Sequence, residues 1–191
     1  MIFVFFGLIA SGKSTLAAAF AARHDYGYFN TDRVRKELAG LRPEKSDDSD
    51  YGEGIYTEEF TEKTYTAMLE RAEKKLRCLP GVVLDGSYTD QRRRQEVREM
   101  ARRNRVAAVF IYCRCSRQET KRRLRLRAVD PHAVSDGRWE IFLRQEEKFV
   151  FPREMKPGEL VVMDTGDSVD NLLDRLEREL AERALHEPLS R

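Results

Sequence analysis

FFGLIASGKST, residues 5–15, decides how this chain is read. It closes an apolar run that begins at Met1 and breaks abruptly into Gly, Ser and Lys. Residues 2–6 (IFVFF) are apolar without alternation, the pattern of a strand buried on both faces of a parallel sheet. No basic residue precedes the run and no small-residue cleavage site comes after it, so it does not read as a secretory leader. Residues 13–23 (KSTLAAAFAAR) are Ala-rich and read as a helix. Between the two, Gly7 to Ser14 fits G-x-x-x-x-G-K-[ST], followed by Thr15. Strand, turn and helix are the context that this motif needs. Its glycines let backbone N–H groups curl around a phosphate, and the helix N-terminus adds partial positive charge. Gly7, Ala10, Ser11, Gly12, Lys13, Ser14 and Thr15 are therefore the candidate contacts to a nucleoside triphosphate. Lys13 would reach its β- and γ-phosphates, and the Ser14 hydroxyl would join a Mg²⁺ shell.

Outward from that turn the pattern alternates. Further apolar runs stand at 81–85 (GVVLD), 106–113 (VAAVFIYC) and 160–164 (LVVMD), with a weaker one at 27–30 (GYFN). Helical periodicity fills the gaps at 57–77, 90–104, 116–128 and 168–184, with Thr89 or Asp90 and Ser116 as plausible N-caps. Strands alternating with helices predict an α/β domain with a parallel sheet and right-handed crossovers. The expected organisation is a single domain over residues 1–185, a lid within it at about 116–150, and a short tail at 186–191. Residues 43–56 read as a long surface loop and 128–138 as the mobile loop behind the lid.

Of the 191 residues 41% are apolar and 36% charged, the composition of a very soluble globular chain. The net charge of +2 conceals an asymmetry. Residues 44–62 hold eight acids and one Lys, whereas residues 90–127 hold fourteen Arg or Lys and four acids. A basic stretch of that kind either faces water or meets a polyanion. Cys78, Cys113 and Cys115 lack a framework spacing and fit reduced thiols in a cytoplasmic protein. Three scattered histidines give no metal-ligand spacing. No apolar run approaches the roughly 20 residues that would span a membrane.

The fate of the triphosphate is read from missing motifs and from carboxylates. Neither D-x-x-G nor N-K-x-D, the marks of GTPases, occurs in the chain. The apolar strand at 81–85 ends Leu84-Asp85-Gly86, without the Glu that polarises a hydrolytic water in motor and AAA-type ATPases. Both points favour transfer to a bound acceptor over hydrolysis. Asp32 opens a helix after the 27–30 strand, where it would either cap that helix, a role Thr31 competes for, or take a proton from an attacking hydroxyl. Arg35 lies one turn on and would bind an anionic acceptor or neutralise charge. Asp85 would approach Mg²⁺ through water or bind the acceptor. Tyr56 and Tyr88 flank the same edge, either half-buried in packing or stacked on an acceptor ring. Arg123 and Arg127 share a helix face and would close over the phosphates.

GLIASGKST, FNTDRVRKELAG, GIYTEEFTEKTY, VVLDGSYTDQRRR and the RRLRLR…VSD segment together resemble the small P-loop kinases related to the kinase domain of phage polynucleotide kinase. Gluconate kinase, chloramphenicol phosphotransferase and zeta toxins are more distant relatives. The resemblance covers about residues 1–180. It implies a three-layer αβα fold on a five-stranded parallel sheet of nucleotide-kinase type, ATP with Mg²⁺, and a closing lid. It also implies that Asp32 activates the acceptor hydroxyl, that Arg35 and Asp85 take the matching acceptor and strand-end roles, and that Arg123 or Arg127 is the lid arginine. The acceptor stays open: a small molecule or nucleotide, a 5′-hydroxyl polynucleotide end, or none, if the chain is an ATP-binding regulatory module.

Overall fold

The structure, a computed structural model, describes residues 1–42, 54–127 and 139–186. The loops expected at 43–56 and 128–138 thus fall largely outside the described residues, as do the tail after 186 and the Arg127 side chain.

Five strands, β1 (Ile2–Phe6), β2 (Gly27–Asn30), β3 (Val82–Gly86), β4 (Ala108–Arg114) and β5 (Leu160–Asp164), form one parallel sheet in the order β2-β3-β1-β4-β5. The unbroken apolar run of β1 is explained by its place: it is central, and all five residues are buried. Phe3 and Phe5 face α1 (Lys13–Arg23) and α7 (Val169–His186), packing with Leu16, Phe20, Leu172 and Leu176. Ile2, Val4 and Phe6 face the other way, towards α3 (Glu58–Leu76) and α4 (Gln91–Arg103), and meet Met68, Val97 and Met100. Burying each such aromatic or aliphatic side chain contributes about 1.5–3 kcal/mol, and both halves of the alternation are needed. The result is the three-layer αβα arrangement.

The remaining helices gather at the carboxyl ends of the strands. α2 (Thr31–Leu38) follows β2 directly, while α5 (Arg117–Arg127) and α6 (Trp139–Lys148) follow β4. Leu124 and Phe142 from α5 and α6 pack on Ile9 and Ala10 in the turn after β1, clamping that turn between helices. Asp90 caps α4, accepting from Arg92 N at 2.9 Å, and the Ser116 hydroxyl accepts from Glu119 N at 3.1 Å at the start of α5. α2 is capped differently from expectation. Neither Asp32 nor Thr31 caps it; Asn30 does, its side-chain oxygen accepting from Arg33 N at 3.0 Å.

Candidate active site

The turn between β1 and α1 is held by close backbone contacts and by side chains reaching in from α5, α6 and the loop after β5. At Gly7 (φ +146°) a Cβ would stand 2.2 Å from the Cys113 carbonyl oxygen of β4, so only glycine fits. At Gly12 (φ +82°) a Cβ would meet the Arg123 guanidinium at 2.8 Å and the Thr165 hydroxyl at 2.9 Å. Ala10 also adopts a left-handed conformation (φ 58°) with its methyl buried. The Ser11 N–H donates to Leu8 O at 3.2 Å, and the Ile9 N–H donates to Gln145 Oε1 of α6 at 2.8 Å. Lys13 curls back onto Leu8 O at 3.3 Å, which places its ammonium over the mouth of the turn. The Ser11 hydroxyl is buried and has no partner. Ser14 and Thr15 stand in the first turn of α1, half-buried and exposed respectively.

Asp85 is fully buried at the end of β3, in register with Asn30 of β2 and Phe5 of β1. One carboxylate oxygen, Oδ2, accepts from the Tyr28 hydroxyl at 2.7 Å and from Asn30 Nδ2 at 2.6 Å. The other, Oδ1, has no hydrogen-bond partner among the described residues. A buried carboxylate oxygen without a donor is costly, and it fits a site completed by a cation or its water shell. Among the described residues no three His, Cys, Asp or Glu side chains cluster as a metal cage. Mg²⁺ needs none, because it draws its ligands from one or two carboxylates or hydroxyls, from phosphate oxygens and from water. Asp85 and Ser14 fit that pattern.

Asn30 caps α2, so the capping role does not fall to Asp32. Its carboxyl, half-buried in the first turn of α2, lies within the electrostatic reach of Lys13, Arg35 and Asp85. Burial pushes it above the ordinary carboxylate range, with Lys13 and then Arg35 drawing it back down and Asp85 adding to the rise. The same cluster reaches Cys113, whose thiol is driven far up by burial and by the Asp85 charge.

The other expected residues divide. Arg35 is buried; its Nη1 donates to Ile55 O at 2.6 Å and to Thr61 Oγ1 at 3.0 Å, and the guanidinium lies over the Tyr56 ring at 5.1 Å. Tyr56 thus lies against Arg35. The Tyr88 ring is fully buried edge-on to Tyr65. Arg123 packs against the turn. It donates to Ala10 O at 3.3 Å, to Thr165 Oγ1 at 3.1 Å and to Thr165 O at 2.6 Å, while Nε pairs with Glu119 at 2.8 Å. Arg122 and Arg123 together hold the Glu119 carboxyl down to about 2. Arg123 lines a cleft of about 320 Å³ beside α1, shared with Gly12, Thr15, Leu126, Thr165 and Val169.

A family profile described as an AAA domain matches residues 2–152. The chain belongs to that family, whose members are P-loop kinase-like domains. The solved structures agree in fold. A gluconokinase from Sinorhizobium meliloti 1021 superposes with a TM-score of 0.58 at 20% identity, covering 96% of each chain. Shikimate kinase from Aquifex aeolicus gives 0.59 at 13% identity over 98% of this chain and 100% of its own. Chaetomium thermophilum Kti12, in complex with ADP-AlF3, gives 0.64 at 16% identity over 94% and 99%. A search of curated proteins returns no significant match. The P-loop kinase fold carries nucleotide binding with it.

Proposed function

We propose that this protein is an ATP-dependent phosphotransferase that moves the γ-phosphate of ATP onto a hydroxyl of a small-molecule acceptor. The observation that carries the reading is Asp32. It is a carboxylate relieved of helix capping by Asn30, pushed up by burial, and held within the field of Lys13 and Asp85 at the edge of the sheet where the P-loop opens. A simple nucleotide sensor has no need of a base there.

In this reading the P-loop N–H groups and Lys13 grip the phosphates, and the cleft lined by Thr165, Leu126 and Arg123 takes the base. Ser14 and Asp85 would hold Mg²⁺, which when bound draws charge from the phosphate oxygens. Asp32 holds the acceptor hydroxyl in line and receives its proton as the oxygen bonds to the γ-phosphorus and the bond to the bridging oxygen breaks, releasing ADP. Arg35 lies one turn along α2 and orients the acceptor. Two resemblances support the assignment without fixing the acceptor: one fold relative is a gluconokinase and another a shikimate kinase.

The test is γ-labelled ATP against a panel of sugars, polyol acids, nucleosides and aminoglycosides. Transfer to one class is expected, and Asp32→Asn should lower its kcat by about 10²–10⁴-fold with ATP affinity preserved. Unchanged turnover in Asp32→Asn would remove the base from the mechanism.

A further inference from the structure

Beside Arg35, a second arginine on the acceptor side is left incomplete by the fold. Arg93, from the first turn of α4, is 7% exposed, yet its Nη1 has no hydrogen-bond partner. Its Nη2 donates to Glu62 Oε1 at 2.8 Å, a carboxylate that it shares with Arg92. Arg92 lies outward with Asp90 and Glu96 also beside it, so among the described residues Arg93 has only a share of one anion for its whole charge. A buried guanidinium N–H without an acceptor costs more than a neutral one. Arg94, its neighbour, binds Tyr88 O and Glu154, each at 2.7 Å, and its Nη2 is likewise buried without a partner among the described residues, but it pairs with an acid of its own.

The geometry of Arg93 says what it lacks. Its guanidinium stacks on the Tyr65 ring at 4.1 Å, as Arg35 stacks on Tyr56. Stacking occupies the face of the plane and leaves the N–H edge for an in-plane partner, which is how a guanidinium grips a carboxylate or phosphate. The Nε of Arg35 is buried and unpartnered as well. One stretch of α3 ties the two arginines together: Thr61 accepts from Arg35, Glu62 from Arg93, and Tyr65 lies beneath Arg93. The Tyr65 hydroxyl stands 3.3 Å from Ser87 Oγ, two residues beyond Asp85. Tyr65 thus links the Arg93 side chain to the residues that follow Asp85 at the carboxyl end of β3.

We propose that the acceptor is an anion, a small hydroxyl compound bearing a carboxylate or phosphate group, and that Arg93 reads that group with Arg35. This rests on the phosphotransferase reading of the same site and adds the chemical class of its substrate. Arg93 is a specificity-determining residue and takes no part in bond making.

The experiment titrates the full-length protein, saturated with ADP and Mg²⁺, with matched probes by calorimetry. D-gluconate and D-glycerate supply carboxylates, glycerol 3-phosphate and glucose 6-phosphate supply phosphates, and sorbitol and glycerol are the neutral counterparts. At least one anion should bind about ten- to a hundredfold more tightly than its neutral counterpart, the value of a charge-assisted hydrogen bond. Which pair shows the gap separates carboxylate from phosphate. Arg93→Gln should erase the gap while leaving neutral probes within about twofold. Arg93→Lys, which keeps the charge and the packing stem, should restore only part of it. An anion no better than its neutral counterpart, including no binding at all, overturns the proposal, as does a gap that survives Arg93→Gln in a protein with an unchanged melting temperature. Labelled-ATP transfer on the same probes separates the two levels. An Arg93-dependent anion that is never phosphorylated defeats the kinase reading alone, and transfer confined to neutral acceptors defeats the anion reading alone.

Discussion

Asp32 concentrates the chemistry of the site in one ionisable group, and its burial has two consequences with opposite signs. Burial raises its pKa in the folded chain above the value in the unfolded chain, so the folded state favours the protonated form. Ionised Asp32 therefore weakens the fold above its folded pKa, and that penalty fades as the pH falls through it. Asp32→Asn should melt at a higher temperature than the native protein near pH 8, and the gap should close as the pH is lowered. Activity runs the other way, because a base must be ionised. The acid limb of kcat/KM should then lie above the ordinary carboxylate range and disappear from the residual activity of Asp32→Asn. A pH–rate profile with matched thermal melts checks both; a variant that is less stable at pH 8 would show that Asp32 supports the fold instead.

Elements differ in how plainly the sequence shows them. The strands are legible because each is a short apolar run broken by Gly, Asp, Asn or Arg, and the P-loop because its residues are contiguous. Cross-element ties are not. Asn30 reaches Asp85 across 55 positions, Gln145 reaches Ile9 across 136, and Thr165 reaches the Ser11 carbonyl across 154 at 2.6 Å. No periodicity announces such partners; only the parallel register of β2 and β3 and the folding of α6 over the turn create them. Arg123 illustrates the point. Its helix face suggests a phosphate-closing arginine, but nothing in the sequence shows that it also ties α5 to the P-loop carbonyl of Ala10 and to Thr165 after β5. Arg123→Ala should therefore raise the Kd for ATP about tenfold and lower the melting temperature, because charged hydrogen bonds at the nucleotide cleft are lost. Calorimetry and thermal melting check it. An arginine acting only on the transferring phosphoryl group would leave both unchanged and lower kcat alone.

On the scale of the whole molecule, much of the basic charge of α4 is paired in space. Fourteen basic residues crowd positions 90–127, but the carboxylates that meet those of α4 arrive from elsewhere. Glu62 and Glu73 come from α3, and Glu154 and Glu159 from the segment before β5. Arg92, Arg93, Arg94, Arg98 and Arg103 each stand beside one of these acids, so the helix presents ion pairs where its sequence suggests a bare cationic stripe. Affinity for a phosphate backbone grows with the number of phosphates neutralised, each releasing a counterion, and a cation already paired releases little. A 5′-hydroxyl single-stranded 20-mer should therefore bind more weakly than about 100 µM in 150 mM salt, and its affinity should change little with salt. Fluorescence anisotropy across a salt series measures both quantities. Tight binding with a steep salt slope would mean that the α4 pairs open to admit a polyanion, and would move the acceptor from a small anion to a nucleic-acid end.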